Sequence, residues 1–271
     1  MKTCLGRHVL GSAAILFGLI TLAWRDFNSW QQIQALGNIP HREILAYFAA
    51  AIEILGGLAI QWHRTARAGA AALGCVFLIF ALLWVPSIVA APRVFGGWGS
   101  FFEEFSQFAG ALIVYAAMSP SDSARAARAA LAGCVFFGIC VVSFTVFQVV
   151  YLSATVMFVP KWIPLGQMFW AIATTVAFAL AAIAILSGRV ALLASRLLTA
   201  MIVGFGLLVW LPALFNDPHK LFNWAGNAQN LAIAGAAWVV TDYFSQKERA
   251  KRPPKVAGRP SHKEPQAALS R

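Results

Sequence analysis

One stretch of this chain is written twice. Leu83-Trp-Val-Pro-Ser-Ile-Val-Ala-Ala-Pro92 returns 126 residues later as Val209-Trp-Leu-Pro-Ala-Leu-Phe-Asn-Asp-Pro218. The same offset pairs Trp98 with Trp224, Ala111 with Ala237 and Val114 with Val240. Self-similarity at a fixed spacing confines the fold to two copies of one unit, which must pack against each other.

The unit is helical and lies in a membrane. With 60% hydrophobic and 11% charged residues, the chain carries more apolar surface than a soluble domain of 271 residues could bury. A spanning helix needs about 20 apolar residues, and each must satisfy its own backbone hydrogen bonds. Eight stretches qualify: 9–24, 44–62, 68–91, 99–118, 127–151, 165–186, 190–215 and 223–244. Lys2 and Arg7 precede the first as they would a signal peptide. No small-x-small cleavage site follows, however, and the repeat needs a first helix opposite the fifth.

Four spans per unit is an even number, so the second unit enters the membrane in the orientation of the first. The expected fold is therefore all-α and polytopic, with eight transmembrane helices as two parallel four-helix repeats. The repeats occupy 1–118 and 129–244, joined by a short polar linker at 119–128. A basic tail at 245–271, interrupted by Pro253, Pro254, Pro260 and Pro265, is expected to be disordered. Sixteen Lys and Arg fall on the side of the termini against five on the other, which predicts cytoplasmic N- and C-termini.

The net charge of +11 is concentrated in the tail, so nucleic acid is not an expected partner. The tail is read either as a topological anchor or as a contact for anionic lipid headgroups. Cys4, Cys75, Cys134 and Cys140 contain no CxxC and are expected to be buried and inert. The five histidines lie at span ends, in loops or in the tail, without metal-pair spacing, so no metal site is expected. Small residues at Gly56-Gly57 and Ala181-Ala182 suggest that the second helix of each unit is central. Two long connections, 25–42 and 152–163, carry Trp30 and Trp162 and are expected to lie in the membrane interface.

Polar residues inside the spans mark candidate sites. Glu53 sits near the midplane of the second span, where it could relay a proton, coordinate an ion, bind a quinone or make a structural hydrogen bond. The fourth and eighth spans begin with twinned polar stripes: Glu103 and Glu104 in one, Asn227, Gln229 and Asn230 in the other. Ser100-x-x-Glu103 also reads as a capping box, and the asparagines as interhelical glue. Gln148 lies in the outer third of the fifth span. Pro86 and Pro212 free a carbonyl four residues earlier, at Leu82 or Leu208. Trp84 and Trp210 then either line a cavity beside it or end the helix at the aromatic belt.

Several of these segments carry a resemblance. Val159-Pro-Lys-Trp-Ile-Pro164 with Phe169-Trp170-Ala171, Glu53-Ile-Leu-Gly-Gly57 and the repeated Leu-Trp-x-Pro segments with Ala109-Gly110-Ala111 and Ala234-Gly235-Ala236 make the chain similar to the DoxX-like family of bacterial membrane proteins. The resemblance implies a four-helix unit, a bacterial inner-membrane location, and a clan with members linked to quinone reduction and oxidative-stress handling. Related sequences often hold a histidine where this chain has Gln148. Three functions follow as expectations: a quinone-associated redox or stress-response subunit with a soluble redox partner, a solute or ion transporter using the repeat interface, and a non-catalytic assembly partner. With neither paired thiols nor metal ligands in the chain, quinone is the one cofactor this reading admits.

Overall fold

The computed structural model describes residues 5–33, 39–119 and 124–251. All regular structure among them is helical. In chain order the helices are α1 (Leu5–Trp24), α2 (Arg42–Ala59), α3 (Ala66–Leu82), α4 (Val85–Ala90), α5 (Phe95–Ala117), α6 (Ala124–Val150), α7 (Leu152–Phe158), α8 (Gln167–Ser187), α9 (Ala191–Phe205), α10 (Leu211–Asn216) and α11 (Leu221–Lys251). Each apolar stretch read from the sequence falls on a helix or on a consecutive pair. Five segments are long and apolar enough to cross a membrane: α1, α3 with α4, α6, α8, and α9 through α10.

Proline shapes the two composite rods in the same way. Pro86 and Pro212 each stand in the first turn of a new short helix, where a missing N–H breaks no bond. Before Pro212 the chain widens into a π-helical turn, Gly206–Trp210, which absorbs the break without a gap. Three connections then close identically. The Trp98 indole donates to the Pro92 carbonyl at 3.2 Å, Trp224 to Pro218 at 2.8 Å, and Trp170 to Pro164 at 2.8 Å. The third instance of this Pro-x5-Trp closure lies outside the segments paired by the 126-residue offset.

The eight long rods form a closed ring in which each packs on its chain neighbours and α11 returns to α1. Inside the ring, α5 and α11 also pack on each other. Contrary to the expectation from Gly56-Gly57 and Ala181-Ala182, the centre therefore belongs to α5 and α11. Helix α2 lies between α1 and α3, and α8 between α6 and α9. The small residues of α2 serve that flank, with Gly57 closing on α1 at Gly11. Shielding also explains the composition of α11: Ala225, Ala228, Ala232, Ala236 and Ala237 are fully buried, so this helix tolerates polar residues that a lipid-facing helix could not.

Helix α1 begins and α11 ends at the same end of the bundle, here called the terminal end; the other is the distal end. Helix α11 runs to Lys251, so residues 245–251, expected in the tail, are helical because no proline interrupts them before Pro253. Helix α6 starts at Ala124, inside the expected linker. The remainder of the tail, 252–271, and Cys4 lie outside the described residues. Cys134 and Cys140 are buried, but Cys75 is exposed on the outer side of α3.

The segment after α1 departs most from expectation. Residues 25–33 turn inward at the distal end, among α2, α3 and α5, and bury Phe27, Asn28, Gln31 and Ile33. Phe27 meets Phe80 edge-on at 6.2 Å. Gln31 donates to Glu53 at 2.7 Å, and the Trp84 indole donates to the Trp30 carbonyl at 2.8 Å. A two-pronged ion pair between Arg42 and Asp26, 2.7 and 3.0 Å, pins the entry of the segment. Gln31 goes inside because a buried partner, Glu53, awaits it, which outweighs the pull of the interface. In the other long connection Trp162 is exposed and α7 buries none of its residues.

Candidate functional site

Between α6, α8, α9 and α11, with the start of α5 as a fifth wall, the distal end holds a cavity of about 510 Å³. Residues 25–33 fill the distal space among α2, α3 and α5. The cavity is lined mainly by apolar and aromatic side chains, the usual make-up of a pocket for a small organic ligand. Gly226 allows the Trp210 ring to form part of its wall, since a Cβ there would lie 1.9 Å from that ring.

Five sequence-predicted site residues line this space: Glu103, Gln148, Trp210, Gln229 and Asn230. Leu208 lines it too. Glu53, Trp84, Glu104 and Asn227 lie outside it. Trp84 holds the inserted loop through Trp30, whereas Asn227 donates to the carbonyls of Trp210 and Asn223 at 2.7 and 2.8 Å. Asn230 donates to the Ile202 carbonyl at 3.1 Å, and Asn223 to those of Ala213 and Asp217. The asparagine stripe thus stitches α11 to the proline-broken rod beside it, which is the glue reading of that motif.

The polar groups facing the cavity are held in defined orientations. The Thr175 hydroxyl lies 2.7 Å from the Ala171 carbonyl and 2.8 Å from Gln148 Oε1, which anchors the Gln148 amide at the cavity wall. Gln107 donates to Gln229 Oε1 at 2.9 Å, while Gln229 Nε2 is buried and without a partner. Glu103 accepts the Trp30 indole N–H at 2.5 Å. Trp30 itself stacks on Phe222 at 5.3 Å and meets Trp210 edge-on at 6.2 Å. A residue from the loop after α1 therefore forms part of a wall built mostly by the later helices, and sequence reading had placed it in the interface. Its signal was the neighbouring Gln31-Gln32 pair, too polar for a residue bound for the headgroup layer alone.

Behind that wall runs a buried polar cluster. Gln31 meets Glu53; Gln107 contacts both Glu104, at 3.3 Å, and Gln229. Glu104 follows Glu103 on α5, and Trp30 and Gln31, neighbours in the inserted loop, hold Glu103 and Glu53 respectively. None of the three carboxyl groups has a Lys, Arg or His partner among the described residues. Chemically, the arrangement offers a greasy ring-sized space with amide donors, a carboxyl acceptor and a polar core behind it.

These features define a helical membrane protein with an internal ligand-sized cavity. Residues 3–87 match the family model DoxX, so the chain is DoxX-like through α1, α2 and α3 and into α4. No curated protein and no solved structure matches the chain.

Proposed function

We propose that this protein is an inner-membrane, DoxX-like binding subunit for a lipid-soluble ring compound of the quinone class. The observation that carries the reading is the pairing, in one cavity, of aromatic walls with the side-chain amides of Gln148 and Gln229. A quinone ring stacks on the indoles while its carbonyl oxygens accept from the amides; in the reduced form, a ring hydroxyl donates to Glu103. Electrons would come from a soluble partner, as befits a chain whose own residues supply no carrier.

The same proposal takes the ring of helices as two parallel four-helix repeats. Pairing α1 with α6, α2 with α8, α3 with α9 and α5 with α11 maps the contact of α1 with α11 onto that of α6 with α5. Ala111 and Ala237 then occupy equivalent, fully buried places, as do Val114 and Val240. On this reading all eight rods cross the membrane with both termini cytoplasmic, and the basic tail rests against anionic lipid.

The test is quenching of indole fluorescence by a short-chain quinone, using the full chain in lipid nanodiscs, since Trp30, Trp170 and Trp210 line the cavity. Saturable quenching is expected. Gln148→Leu, which keeps the volume and removes one donor, should weaken binding about tenfold, the worth of one good hydrogen bond. Ala154→Phe, which fills the space, should abolish saturation. Equal quenching of all three proteins would show that the quinone acts from the lipid and sink the proposal. Displacement by a lipophilic quaternary ammonium ion at lower concentration would replace the quinone class with organic cations.

A further inference from the structure

Glu53, Glu104 and Gln107, behind the cavity, do not line it. Glu53 and Gln107 are fully buried, and Glu104 is 2% exposed. Two acceptor atoms there, Glu53 Oε2 and Gln107 Oε1, have no donor. The donors that approach are amides: Gln31 to Glu53 and Gln107 to Glu104. Among the described residues, the titratable groups that take part in the cluster are acidic, namely Glu53 on α2 and Glu103 and Glu104 on α5. Asp26 and Arg42, at the mouth of the inserted loop, are spent on each other. A buried carboxylate with no cation beside it is costly, and a cluster of them linked through amides more so. The cluster is thus short of hydrogen-bond donors and of positive charge, and a proton supplies both. The carboxyl groups do not gather into a metal-holding set among the described residues.

We infer that Glu53 and Glu104, held by Gln31 and Gln107, form a binding site for one exchangeable proton, linked to the cavity through Gln107 and Gln229. Uptake makes one O–H bond on a carboxylate oxygen and cancels one negative charge. Release breaks that bond and restores the carboxylate, and no electron moves. The proton turns one unpartnered acceptor into a donor. The cavity senses it because Gln107 touches Glu104 on one side and Gln229, a wall residue, on the other. Only this link rests on the quinone reading; the proton site stands apart from it.

Infrared spectroscopy of the full chain in lipid nanodiscs tests the site without any ligand. The wild type should show a C=O stretch from a protonated buried carboxyl group, shifting to lower frequency on exchange into D2O. Glu53→Gln and Glu104→Gln should each lose or displace that band. Its absence from the wild type, which needs no variant to fold, overturns the inference, as does a band untouched by both substitutions. Loss of the band when sodium chloride replaces choline chloride would give the site to sodium and also overturn it. Adding the short-chain quinone should shift the band in the wild type and leave it unmoved in Gln107→Leu. A band without saturable fluorescence quenching refutes the quinone reading alone; quenching without a band refutes the proton site alone.

Discussion

Trp30→Ala should destabilise the folded protein by about 3 kcal/mol or more, the range for truncating a packed tryptophan. Three losses combine. The stack on Phe222 and the edge contact with Trp210 disappear, the inserted loop loses its widest side chain, and Glu103 loses its indole donor while remaining inside the bundle. Trp30→Phe separates the last loss from the others, because it keeps a ring and removes only the N–H. Thermal unfolding in detergent should therefore rank wild type above Trp30→Phe and both well above Trp30→Ala. If all three unfold together, residues 25–33 are not a structural element of the core.

The second large effect is expected at the centre of the ring. A Cβ on Gly235 would lie 2.6 Å from the backbone nitrogen of Leu10 and 2.8 Å from its Cα. A backbone neighbour cannot rotate aside as a side chain could, so Gly235→Leu must push α1 from α11. The cost should sit at or beyond the upper end of the overpacking range, about 3 kcal/mol. Gly204→Leu is the control, because nothing lies within 4 Å of its Cβ. It should be neutral or slightly stabilising, by up to about 1 kcal/mol of helix propensity. Similar melting of the two variants would mean that α1 and α11 are not packed as described.

The helical rods and their order were legible from hydrophobic runs of spanning length, and the breaks at Pro86 and Pro212 from the chemistry of proline. What the runs could not reveal is which rods are central. Small residues occur on α2, α5, α8 and α11 alike, and only contacts between distant helices separate a crowded flank from a crowded centre. Low hydropathy held part of that answer: α5 and α11 carry Glu103, Glu104, Asn223, Asn227, Gln229 and Asn230, which a helix surrounded by other helices can accommodate. The inserted loop was illegible for a similar reason. Asn28 and Gln31 look like surface residues until Glu53, more than twenty positions later, is known to wait for an amide. The Pro-x5-Trp closure was written three times, but its third copy lies outside the paired segments and so escaped notice.

The inserted loop ties the two sides of the bundle together without making them alike. Residues 25–33 fill the space among α2, α3 and α5, and one of them, Trp30, also furnishes the cavity among the later helices. The loop that fills one side of the bundle thus also walls the cavity of the other. The later helices expressed alone would therefore inherit an incomplete chamber, and the earlier ones a sealed one. A single fused polypeptide guarantees that the two are always made in equal numbers.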